Sequence, residues 1–152
     1  MSIFTKKQQL FFTSEEQQAI VQAVGEAEKR TSGEIRVYVE SRCSFVNALD
    51  RATDVFHKLK MEATTQRNAV LVYVAMTDRQ LAVYADEGIY QKEGKVFWND
   101  AVKKILSHFN KQDYAKGIAG VVHEIGESLA SHFPFDASTS KNELPDDIVF
   151  GK

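Results

Sequence analysis

Asn68-Ala69-Val70-Leu71-Val72-Tyr73-Val74-Ala75, Met76-Thr77-Asp78-Arg79-Gln80, Leu81-Ala82-Val83-Tyr84-Ala85-Asp86-Glu87 is the stretch on which the fold turns. An apolar run meets a polar connection and then an alternating run. This is the pattern of a buried strand joined by a tight turn to an antiparallel partner. In such a hairpin the first residue of one strand lies beside the last residue of the other. Arg67-Asn68 is therefore predicted to sit next to Asp86-Glu87, so that two carboxylates and an amide oxygen meet from distant positions.

Toward the N-terminus, Ile35, Val37 and Val39 alternate with Arg36, Tyr38 and Glu40, which predicts a strand over Ile35–Glu40. Phe45, Leu49, Ala52, Phe56 and Leu59 then recur at helical spacing, predicting a helix from about Phe45 to Lys60. Strand, helix and strand make a βαβ unit with parallel strands and a right-handed crossover. An earlier helix begins at Thr13, with Glu16 completing a capping box. It carries Ile20, Val21, Val24 and Ala27 and ends at Thr31-Ser32-Gly33, with Gly33 as a left-handed cap.

Beyond the hairpin, Asp86 to Gly94 reads as a loop with two glycines. A helix with Val96, Phe97, Ala101, Val102, Ile105 and Phe109 follows. Asp113 is read as the cap of a last helix, with Ile118, Val121, Val122, Ile125 and Leu129, which ends before Pro134. Gly117, Gly120 and Gly126 inside it cost about 1 kcal/mol each against alanine, which close packing is expected to offset. Ile148-Val149-Phe150 is read as an edge strand. The fold class is α/β, a three-layer α/β/α sandwich with a small mixed sheet made of the βαβ unit and an antiparallel hairpin strand.

A chain of 152 residues, 43% hydrophobic and 26% charged, suits one globular domain. A net charge of −2 with scattered lysines and arginines gives no basic face for nucleic acid. Cys43 is the single cysteine, so no internal disulfide forms. With no apolar leader and no apolar run near the roughly 20 residues of a membrane span, the expected location is the cytoplasm, away from the membrane.

The topology gives the sheet two rims. At the first, Glu34, Asn68, Asp86 and Glu87 offer the oxygen donors that a hard cation takes, and Gly88 is read as turning the backbone after the acidic pair. Solvated loop acids partly neutralised by Arg67 are the plain alternative, because the alternating acids of a calcium loop are absent. At the opposite rim Cys43 lies near the start of the second helix. A cysteine phosphatase would place arginine where Leu49 stands, so the thiol is read as ordinary. His57, His108, His123 and His132 fall in predicted helices and are read as structural or surface groups. His123-Glu124 lacks the second histidine of a zinc-protease helix, since Glu127 occupies that position. Tyr90, Phe97 and Trp98 cluster around the Asp86 loop, where Phe97 and Trp98 are read as anchoring it to the core, with an aromatic binding surface as the alternative. No nucleophile elbow or phosphate-binding glycine loop is present, and no catalytic residue is assigned.

Ser32-Gly33-Glu34-Ile35, Arg67-Asn68-Ala69-Val70-Leu71, Asp86-Glu87-Gly88-Ile89, Phe97-Trp98 and His132-Phe133-Pro134, in this order and spacing, resemble the TPM domain, also called the TPM phosphatase domain. The tail Asn142-Glu143-Leu144-Pro145-Asp146 is similar to that of short bacterial members, while Ala69 and Ala85 stand where the family pattern leads one to expect glycine. The resemblance implies a single TPM-like domain over 1–135 and a polar, acidic tail over 136–152. It also implies binding of a divalent cation, Ca2+ first and Mg2+ second. Asp86 and Glu87 would be direct ligands, and Asn68 and Glu34 additional oxygen donors. The favoured function is a cation-binding regulatory or interaction module. The alternatives are a slow metal-dependent acid phosphatase, with Arg67 contacting phosphate, and a metal-independent protein-interaction domain. The expected partners are a divalent metal ion and an unidentified protein.

Overall fold

Thr13 begins the first helix, α1 (Ser14–Glu28), through the expected reciprocal cap. The Thr13 N–H donates to Glu16 Oε1 at 2.9 Å and the Glu16 N–H donates to Thr13 Oγ1 at 3.1 Å. The helix stops at Glu28, with Lys29 as a right-handed cap. Gly33 is therefore not the left-handed cap predicted for it. A Cβ there would stand 2.8 Å from Leu129 Cδ2 and 3.2 Å from the Asn68 carbonyl, so glycine answers to a close approach of chains. The computed structural model describes residues 11–110, 113–136 and 148–151, without the side chains of Phe109 and Asn110. The apolar role read for Phe109 and the tail motif Asn142–Asp146 lie outside that description.

The strands are β1 (Glu34–Glu40), β2 (Ala69–Ala75), β3 (Gln80–Ala85) and β4 (Val149–Phe150), in the spatial order β3-β2-β1-β4. β1 and β2 are parallel, with Glu34 opposite Ala69. β3 returns antiparallel, with Ala85 opposite Val70. Both relations are those predicted, and the apolar tail segment docks in parallel on β1, Val149 opposite Tyr38.

The crossover helix α2 spans Ala48–Lys58, shorter than expected at its start. Asn47 is extended, and its side chain accepts the Leu49 N–H at 2.7 Å. This cap leaves Phe45 and Val46 outside the helix and exposed, although Phe45 keeps the helical spacing.

The segment read as a loop after β3 is a helix, α3 (Glu87–Glu93). Asp86 caps it, accepting the Glu87 N–H at 2.8 Å. Gly94, at φ 83°, separates it from α4 (Lys95–Asn110). Gly88 lies inside α3 and makes no turn. A Cβ on it would fall 2.2 Å from the Gln66 carbonyl oxygen and 2.5 Å from that of Arg67.

In α5 (Tyr114–His132), Asp113 does not cap with its side chain; its Oδ1 lies 3.0 Å from His108 Nδ1. Close packing explains Gly117 and Gly126, where a Cβ would meet His108 Cβ at 2.6 Å and Ala27 Cβ at 2.5 Å. Gly120 faces open space, contrary to expectation.

The pleat sorts the core into two layers. Ile35, Val37, Val39, Val70, Val72 and Val74 face α1, α4 and α5, together with Leu81 and Val83. Leu71, Tyr73 and Ala82 face α2 through Ala52, Val55 and Phe56. β2 is buried on both faces and carries no charged residue, its one polar side-chain group being the Tyr73 hydroxyl.

Candidate functional site

The antiparallel register brings the two ends of the hairpin together. The Asp86 N–H donates to the Ala69 carbonyl at 2.9 Å, which places Asp86 beside Arg67. Arg67 is left-handed, at φ 53°. Its guanidinium forks onto Asp86, Nε to Oδ2 at 2.7 Å and Nη2 to Oδ1 at 2.9 Å, and its Nη1 reaches Glu87 Oε1 at 3.2 Å. Asp86 is buried, whereas Glu87 is exposed. Bidentate pairs of this kind combine charge with fixed geometry. The hydrogen bond to Asp86 raises the Arg67 pKa above its ordinary value.

Glu34 and Asn68 lie on other parts of the rim. The buried Asn68 donates through Nδ2 to Ser32 Oγ at 3.4 Å and to Gln66 Oε1 at 3.3 Å. Ser32 and Gln66 border a separate cleft of about 520 Å³ beside Phe133 and Pro134. Glu34 is opposite Ala69, and Ala69 is bonded to Asp86 on its other side. β2 thus stands between the two acids, about 10 Å apart at ordinary strand spacing. Among the described residues no three His, Cys, Asp or Glu side chains are placed to share a metal ion. The structure brings together Arg67, Asp86 and Glu87 and leaves Glu34 and Asn68 outside that cluster.

From the ion pair a groove of about 770 Å³ runs along β3. Its floor is Leu81 to Ala85. One wall is the cap residue Asn47 with Ala48 and Leu49 of α2, and the other is Tyr90 of α3 with Lys95, Trp98, Val102 and Lys103 of α4. A family model described as the TPM domain matches residues 5–128. The chain belongs to the TPM-domain family. Its structure is similar to the NMR structure of the BA42 protein from the psychrophilic bacterium Bizionia argentinensis. That protein is 40% identical, with a TM-score of 0.84 over 93% of this chain and 96% of the other. The N-terminal domain of the cg2496 protein from Corynebacterium glutamicum shares the fold, with a TM-score of 0.66 at 13% identity over 95% and 93% of the two chains. No curated protein matches at a significant level.

The opposite rim of the TPM domain holds a network that the sequence reading missed. Arg51 of α2 forks onto Glu40, Nε to Oε2 and Nη2 to Oε1 both at 2.9 Å, and its Nη1 bonds Asp54 at 2.9 Å. The buried Tyr73 hydroxyl donates to Glu40. Burial acts to raise the Glu40 pKa, but the hydrogen bonds from Arg51 and Tyr73 outweigh it and hold the carboxyl below its ordinary value. The available sign was parity, because Glu40 shares the strand face of Tyr38 and Arg36, toward α2. Cys43 is held locally, its N–H donating to Asp78 Oδ2 at 2.8 Å and its Sγ lying 3.4 Å from the Phe45 carbonyl.

Each histidine of the TPM domain stands beside a carboxylate rather than a second metal-ligating ring: His57 by Glu62, His108 by Asp113, His123 by Glu127 and His132 by Glu93. Trp98 anchors α4 to α3, its Nε1 donating to the Tyr90 carbonyl at 3.4 Å. No helix among the described residues is long and apolar enough to cross a membrane.

Proposed function

We propose that this TPM domain is a divalent-cation-binding interaction module and not an efficient enzyme. The observation that carries the reading is the convergence of Asp86 and Glu87 on one cation position, taken by the Arg67 guanidinium. Those two carboxylates suit a hard cation such as Ca2+, with water completing the six to eight oxygens it takes. Asn68 and Glu34, read from the sequence as additional oxygen donors, stand outside this cation position. The guanidinium and the metal compete for the same oxygens, so binding requires Arg67 to withdraw. Arg67 is about 41% exposed and can do so into solvent. This competition predicts weak binding, in the roughly millimolar range of low-affinity calcium modules. Without a cation the Arg67 fork is held by Asp86, and among the described residues no side chain of this rim is placed as a nucleophile, which is why the phosphatase alternative ranks second.

Calcium titration of the native protein and of Arg67→Gly, followed by amide NMR with magnesium for comparison, tests the proposal. Glycine keeps the left-handed backbone while removing the competing charge. Saturable shifts at Asp86, Glu87 and Gly88 are expected, with affinity about tenfold higher in the variant once the competing charge is gone. Titrations without saturable shifts in both proteins would overturn the reading.

A further inference from the structure

We infer that the β3 groove takes an extended acidic peptide from a partner protein, which adds to the sheet as a strand. This names the partner for the interaction half of the function proposed above and does not depend on the cation. β3 is an edge strand, and among the described residues nothing pairs with its outer side. The bond from the Asp86 N–H to the Ala69 carbonyl sets the ladder. Antiparallel pairing alternates bonded and non-bonded positions. Gln80, Ala82 and Tyr84 therefore bond to β2, and Leu81, Val83 and Ala85 aim their N–H and C=O groups outward, into the groove. Such a row of unmatched backbone groups is a template for an added strand.

The walls select what can be added. Helical residues border the edge on both sides, so a free extended segment reaches it more readily than the edge of a second folded sheet. Lys95 and Lys103 stand on the α4 wall, and neither is in an ion pair among the described residues. They are eight residues apart along the helix, about 12 Å at 1.5 Å per residue. Four residues of extended chain span nearly the same distance, roughly 13 Å. Trp98 and Val102 lie between the lysines, and the exposed Leu49 and Tyr90 offer further apolar contact. A strand seated here places two acids four residues apart, with apolar residues between them.

The test uses the full chain and a fluorescent peptide, acetyl-Gly-Glu-Val-Ile-Val-Glu-Gly-amide, with and without calcium. Expected are saturable anisotropy and slowed exchange of the Leu81, Val83 and Ala85 amides. Replacing the central isoleucine by proline, which removes an N–H, should abolish binding. The Lys95→Glu/Lys103→Glu variant, whose amide spectrum reports that it remains folded, should bind roughly three- to tenfold more weakly, the scale of two exposed ion pairs. Failure to bind under either calcium condition overturns the inference and leaves the calcium titration standing on its own. Binding that ignores both proline and charge reversal overturns it too. So does sedimentation showing that the same amides are protected by self-association, which assigns the groove to a second copy.

Discussion

Arg67 shows how a single residue can join two parts of the site. A non-glycine residue in the left-handed region is uncommon and carries a cost of order 1 kcal/mol. Here the fork onto Asp86 offsets it. Glu40 plays the matching part at the far rim, where Arg51 and Tyr73 occupy both its oxygens. Its carboxyl is held below the ordinary value of 4.5, so the fold favours the ionised form. The resulting stability is fully present above pH 4.5 and is lost as pH falls through the lower folded value. Glu40→Gln is expected to cost about 3 kcal/mol near neutrality, as for breaking a buried pair, and to flatten the acid limb of the stability profile. Urea denaturation from pH 7 down to pH 3 reads both effects, and an unchanged acid limb would contradict the assignment.

At the scale of the element, α3 is the instructive case. Two glycines and an acidic pair read locally as a loop, yet Asp86 caps a helix and Gly94 ends it. Gly88 was legible as a required glycine, but the reason lies in residues far away in sequence. Its missing Cβ admits the Gln66 and Arg67 carbonyls, and its N–H donates to the Arg67 carbonyl at 2.8 Å. Gly88→Ala must push backbone against backbone, and a loss of about 1–3 kcal/mol is expected on the scale of overpacked sites. Urea midpoints will show it, together with displaced Arg67 and Asp86 amides in NMR spectra. Where local chemistry alone decides, as in the Thr13–Glu16 box, the sequence reading and the structure agree. The start of α2 differs because the Asn47 cap outweighs the apolar spacing of Phe45.

Over the whole molecule, the two sheet edges are treated differently. The chain covers the β1 edge itself, with the Gly151 N–H donating to the Val39 carbonyl at 2.7 Å and Ile148 buried in the main core. Deleting residues 148–152 should lower stability by about 2 kcal/mol, the value of one buried aliphatic side chain, while the domain still folds. Thermal melting measures the loss, and faster exchange at the Val39 neighbourhood would locate it. An unchanged melting temperature would mean that β4 contributes little.

Periodicity alone determined the strands, the parallel βαβ unit, the antiparallel return and the meeting of Arg67 with Asp86. These follow from side-chain period and hairpin geometry, which are local and cumulative along the chain. Only the tertiary structure decided which rim oxygens meet. β2 stands between Glu34 and Asp86, and the pleat turns Asn68, one residue before Ala69, away from Asp86, while a long arginine reaches both Asp86 and Glu87. The β3 groove belongs to the same class of feature. It exists because helices distant in sequence pack on either side of one edge strand, and pairwise packing between remote elements leaves no period in the sequence.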